Sequence, residues 1–101
     1  MAYIYRNITT SGATNNLIVR DTNRSYSGNI NKINISNNSA NPATVNIDYH
    51  DGTNSFYLIK NVVIPAGVAL VLDDCGKFNS AEYSLRIHNT GSSPDLTVII
   101  N

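Results

Sequence analysis

Residues 44–49, TVNIDY, alternate apolar and polar side chains without a fault. This two-residue period is the feature that most restricts what the chain can become. Successive side chains of a strand point to opposite faces, so such a run has one dry face and one wet face. Val45, Ile47 and Tyr49 are predicted inward, with Thr44, Asn46 and Asp48 outward. The period returns at residues 3–9, where Ile4, Arg6 and Ile8 oppose Tyr3, Tyr5 and Asn7. It returns again at 82–88, where Tyr83, Leu85 and Ile87 oppose Glu82, Ser84, Arg86 and His88. Shorter apolar runs at 16–20, 30–36, 56–60, 68–72 and 96–100 complete the set. A bulge near Asn31-Lys32 would bring Ile30 onto the face of Ile33 and Ile35.

Between these runs stand turn residues. Ser11-Gly12-Ala13, NNSANPA at 37–43 and NTGSSP at 89–94 break the pattern. Asp51-Gly52 is a strong hairpin signal. Pro65-Ala66-Gly67 separates two apolar runs: Pro65 fixes φ, and Gly67 is predicted to take a positive φ. DTNRSYSG at 21–28 and DDCGKFNSA at 73–81 read as loops. Helix formers are nearly missing, with one glutamate, no glutamine and three lysines, while Asn is the commonest residue. β-branched side chains suit a pleated surface, and Asn suits turns. The expected fold is all-β, a single β-sandwich of jelly-roll or Ig-like type with about eight short antiparallel strands, one domain over residues 1–101.

The same residues narrow the chemistry. A formal net charge of zero gives no basic face, so neither nucleic acid nor an anionic membrane is an expected partner. The N-terminal MAYIYRNITT has no apolar segment or small-residue cleavage site, which predicts a chain kept inside the producing cell. Cys75, the one cysteine, has no disulfide partner within the chain and reads as a small, partly buried thiol. His50 and His88 lack zinc-like spacing, and no metal or cofactor is expected. Asp73-Asp74, and Asp48 with Asp51, offer hard oxygens for calcium but read as solvated turns, with no EF-hand pattern. Glu82 is the one glutamate and no nucleophile turn is present, so the expectation is that the chain is not an enzyme.

Surfaces are the remaining source of function. Six tyrosines could form a sugar platform, although most occupy alternating positions that suit a core. Two strands are apolar on both parities. If Val68, Leu70 and Leu72 fill the core, Val71 faces out. If Leu96, Val98 and Ile100 fill it, Thr97 and Ile99 face out. A strand apolar on both faces is covered on both faces or meets a partner. The C-terminal DLTVII has no lysine to blunt an edge, so it is expected to be central or covered by a neighbouring subunit. Val71, Thr97 and Ile99 are therefore the candidate interface, and Pro65 and Gly67 the structural turn.

Six short motifs occur in order: Ile33-Asn34-Ile35-Ser36-Asn37, Ala43-Thr44-Val45-Asn46-Ile47, Ile64-Pro65-Ala66-Gly67, Leu70-Val71-Leu72-Asp73, Leu85-Arg86-Ile87 and Leu96-Thr97-Val98. Together they resemble a group of small virion structural proteins of tailed bacteriophages, common among marine and cyanobacterial phages. The resemblance covers roughly residues 30–100. It implies a β-sandwich without catalysis that decorates or joins virion parts. The expected role is a capsid decoration protein that binds other virion proteins, the major capsid protein or tail and neck proteins, as a homo-oligomer in a virion, after synthesis in the host cytoplasm. A tail, neck or baseplate component is the alternative within that class. A carbohydrate-binding module that aids host attachment is the alternative outside it.

Overall fold

The computed structural model describes residues 3–21 and 26–101. Two four-stranded antiparallel sheets form a β-sandwich, and among the described residues there is no helix. The strands are β1 (Ile4–Ile8), β2 (Thr14–Ile18), β3 (Ser27–Asn29), β4 (Lys32–Asn37), β5 (Ala43–His50), β6 (Ser55–Ile64), β7 (Ala69–Asp73), β8 (Lys77–Asn79), β9 (Ser84–Thr90) and β10 (Leu96–Ile100). The front sheet has the order β1-β10-β4-β7 and the back sheet β2-β9-β5-β6. β3 and β8 pair as a separate two-stranded ribbon.

Within the two large sheets, only β5 and β6 are both consecutive in sequence and paired. The other turn clusters are corners that carry the chain from one sheet to the other. Pro65-Ala66-Gly67 links back-sheet β6 to front-sheet β7, and NTGSSP links β9 to β10. Gly67 has φ +75°, as its position after Pro65 predicts, and Val68 N–H closes the turn on Pro65 C=O at 3.2 Å. Asn37 ends β4 and holds this corner in place. Its backbone bonds Val68 and Gly67, while its buried Nδ2 donates to the carbonyls of Ile64 and Asn41 at 2.9 Å. Its Oδ1 accepts from both the amide and the hydroxyl of Ser39. A buried amide with every partner supplied pins its surroundings, because leaving any one of them unpaired is costly.

The core forms where alternation places it. Ile33 and Ile35 from β4, Val45 and Ile47 from β5, Leu85 and Ile87 from β9, and Leu96, Val98 and Ile100 from β10 have no solvent exposure. Burying each such side chain contributes roughly 1.5–3 kcal/mol. Ile30 joins them because Asn31 and Lys32 both donate to the single carbonyl of Asn101, two residues opposite one as in a bulge. One end of the core is closed by aromatic rings, with Tyr49 5.2 Å from Phe78 and 6.3 Å from Tyr83.

Three sequence expectations need correction. The strands number ten rather than about eight. The two extra ones, β3 and β8, lie in segments predicted as loops. Each is three residues long, too short to show a period, and Phe78 is its ribbon's only buried apolar anchor. Part of the first predicted loop, residues 22–25, falls outside the described residues. Next, the strand expected over 56–60 runs on to Ile64. Asn61, with φ +57°, is accommodated by a bulge, and pairing resumes at Val62 opposite Val45. Finally, Glu82 was expected on a strand but sits in a turn, where its amide bonds Asn79 C=O. β9 begins at Ser84.

Candidate functional sites on the two outer faces

The sandwich presents two broad outer faces, and their chemistry differs. On the front sheet, register aligns Tyr5, Ile99, Asn34 and Val71 in one row across β1, β10, β4 and β7. The next row is Asn7, Thr97, Ser36 and Ala69. All three candidate interface residues, Val71, Thr97 and Ile99, thus lie on one face. Tyr5 joins them as the residue that sequence reading did not single out. It shares the alternation of β1, but only the register of β1 on β10 reveals that it flanks Ile99. Tyr5 is 63% and Val71 45% exposed, and Thr97 and Ile99 are half-buried. Arg6, beside Tyr5 on the edge strand, donates to the Tyr5 carbonyl at 3.0 Å, and at the other end of the face Lys32 and Asp73, both exposed, pair at 3.9 Å. Such a pair contributes little.

β10 itself is paired on both sides, by β1 and β4. Its lack of lysine is explained by central position rather than by a partner at its edge. The real edges are β1 and β7 in front, β2 and β6 behind. β6, the longest strand, departs from regular pairing twice along β5 and carries Lys60, features that blunt an edge against further pairing.

The outer face of the back sheet is polar. Asn16, Arg86, Asp48 and Tyr57 form one row, and Thr14, His88 and Asn46 the next. Asp48 was expected outward and solvated, yet it is only 4% exposed. It lies under Arg86, whose Nη2 and Nε donate to its carboxylate at 2.8 and 3.2 Å. Arg86 Nη2 also donates to Ser55 Oγ at 3.1 Å. Asn46 Oδ1 accepts from the Asn61 amide in the β6 bulge. Tyr57, 48% exposed, has Lys60 Nζ 4.7 Å above its ring, a cation–π contact. Thr14, Asn46, Asp48, Tyr57, Arg86 and His88 line a shallow cleft of about 230 Å³. Sequence reading weighed Asp48 for calcium and His88 for zinc separately. It missed that cross-strand register sets both beside Arg86 and Tyr57.

The other residues weighed for chemistry are occupied elsewhere. The Asp51 carboxylate accepts from the Thr53 and Asn54 amides of its own turn at 2.9 and 2.7 Å, which holds its pKa below the usual carboxylate range. Burial, with Asp73 and Asp74 nearby, pushes the Cys75 thiol up, and its backbone carbonyl accepts Tyr49 Oη–H at 3.0 Å. A wider hollow of about 490 Å³ lies along the β3–β8 ribbon beside Phe78 and Tyr83, on the most weakly paired part of the fold.

No protein-family model matches the sequence, and no curated protein sequence matches it. Among solved structures, the chain is similar to PirA at 11% identity and a TM-score of 0.62, over 96% of this chain and 90% of PirA. At that identity the likeness concerns the fold alone. A pentameric capsid protein isolated from metagenomic phage sequences is similar at 12% identity and a TM-score of 0.44, over 98% of this chain and 61% of that one. Hydroxypropylphosphonic acid epoxidase from S. wedmorenis is similar at 10% identity and a TM-score of 0.42, over 98% of this chain but 42% of the enzyme. The chain therefore spans less than two thirds of the capsid and epoxidase chains. The epoxidase corrects the expectation that this chain is not an enzyme. A lack of nucleophile turns does not exclude a site built from residues on sheet faces.

Proposed function

We propose that this chain is a structural subunit of a bacteriophage particle, a capsid decoration protein that seats the outer face of its front sheet against neighbouring subunits. The observation that carries this reading is the order of the six virion-protein motifs, each of which falls on an element of one sandwich. Ile33–Asn37 is on β4, Ala43–Ile47 on β5, Ile64–Gly67 at the corner, Leu70–Asp73 on β7, Leu85–Ile87 on β9 and Leu96–Val98 on β10. Asn37 gives the first motif a physical reason, since its side chain ties β4 to the end of β6 beside the Pro-Ala-Gly turn. The strand orders β1-β10-β4-β7 and β2-β9-β5-β6 support a jelly-roll reading, an architecture found among capsid proteins.

The contact surface is the row of Tyr5, Ile99 and Val71 with Thr97 beside it. Its occupant is a second copy of this chain in a homo-oligomer. The zero net charge offers no long-range repulsion against self-association, and the row carries no charge of its own. Cryo-electron microscopy of intact particles tests the assignment. Sandwich-shaped density for this chain on the capsid exterior, with the front sheet at a subunit contact, is the expected result. Density confined to the tail, neck or baseplate, or none in the particle, would overturn it.

A further inference from the structure

We propose that the cleft on the outer face of the back sheet is a saccharide-binding site, a function beyond the structural role above. A polar outer face is ordinary in a sandwich, but this one contains a charged pair that the fold does not need for its core. Removing a carboxylate from water is costly, and buried ion pairs are weak sources of stability. Asp48 and Arg86 are nonetheless held in fixed geometry beside open space, with Ser55 Oγ as a second acceptor for Arg86 Nη2. The pair is thereby pre-organised, and its orientation costs nothing further when a ligand arrives.

Sugar recognition requires two kinds of group, and both are present. The C–H face of a pyranose ring packs on an exposed aromatic ring, because aromatic side chains offer a large apolar surface with a negative π-face. Tyr57 supplies that surface at the cleft wall, and the Lys60 cation–π contact restrains its ring. Vicinal hydroxyls act as donor and acceptor together, so they suit planar side chains that present paired groups. The Arg86 guanidinium, held in place by the Asp48 carboxylate beneath it, presents such groups, and Asn46, His88 and Thr14 add further donors and acceptors around the rim. With the ion pair neutralised internally, Lys60 leaves the neighbourhood slightly positive and does not demand an anionic ligand. A volume of about 230 Å³ lies below the roughly 300–1,000 Å³ of drug-sized pockets. The site therefore takes one sugar unit, presented as the terminal residue of a longer glycan.

The test uses the full chain, isotopically labelled, titrated with methyl glycosides of hexoses, N-acetylhexosamines and uronic acids and followed by amide chemical shifts. At least one glycoside is expected to shift the amides of Thr14, Asn46, Tyr57 and His88 in a saturable manner. Tyr57→Ala is expected to weaken that glycoside at least tenfold while the melting temperature holds, and Tyr57→Phe to keep it within about twofold, since stacking rather than the hydroxyl provides the contact. Absence of any saturable shift would overturn the proposal. So would shifts centred on the Phe78 and Tyr83 hollow, or parental affinity in Tyr57→Ala.

Discussion

The front and back sheets are built by the same alternation and share one core, yet their outer faces have opposite chemistry. In front, Tyr5, Ile99 and Val71 cross three strands with only Asn34 between them, and the one ion pair nearby is loose and exposed. Behind, the equivalent positions hold Arg86, Asp48 and Tyr57, and the ion pair is tight and shielded. In a two-sheet fold the inward residues are dictated by packing, so the outward ones are where a sequence can differentiate its surfaces. On the two proposals made here, the front face meets another protein and the back face a small polar ligand.

The largest predicted effect sharpens that contrast. Arg86→Ala leaves the Asp48 carboxylate buried without its partner and is expected to cost on the order of 3 kcal/mol. The corresponding change in front, Lys32→Ala, should move the urea midpoint hardly at all, because its pair is solvated. Equal losses at the two positions would erase the distinction between the faces. Next comes Asn37→Ala at the corner where the chain passes between sheets. Its side-chain hydrogen bonds to Ser39, Asn41 and Ile64 are lost, and although Asn41 C=O keeps the Ser39 hydroxyl as a donor, the Ile64 carbonyl loses its Asn37 partner inside the fold. A loss of about 2 kcal/mol by chemical denaturation is expected.

Gly67→Val should cost about 1–2 kcal/mol, from backbone conformation alone. A Cβ at Gly67 would meet nothing within 4 Å, so an unchanged midpoint would show that the corner is free to rearrange. The smallest effect appears only in alkali. Burial first, with Cys75 and Tyr26 adding to it, raises the Tyr49 pKa well above the ordinary tyrosine range. The folded state then keeps a proton that the unfolded state releases, so stability present at neutral pH is lost progressively as pH rises past about 10. Tyr49→Phe should have a shallower decline between pH 8 and 11 in pH-dependent unfolding.

Much of the fold was legible because the core obeys a single period. Val45 and Ile47, Leu85 and Ile87, and Leu96 and Val98 all lie inside as alternation requires. Gly67 was legible for a local reason, since its turn is set by its own neighbours. The ribbon of β3 and β8 was not, because its pairing is decided by residues some fifty positions apart (Gly28 faces Phe78) rather than by any local pattern. The sites divide in the same manner. Val71 and Ile99 could be found one strand at a time as apolar residues on the outward parity, with Thr97 as the outward neighbour of Ile99 on the same strand. The back-sheet cleft depends on β2, β9, β5 and β6 lying side by side in a particular register. Asp48 and Arg86 are thirty-eight positions apart, and nothing local in either strand announces the other.

Sedimentation velocity of the parent, Ile99→Asp and Tyr57→Ala at one matched concentration tests the division of labour most directly. The parent and Tyr57→Ala are predicted to sediment as the same oligomer. Ile99→Asp, with an unaltered β-sheet circular dichroism spectrum, should sediment as a monomer, because a carboxylate is placed within the apolar row. An Ile99→Asp protein that sediments like the parent, or a Tyr57→Ala protein that dissociates, would contradict the assignment of subunit contact to the front face.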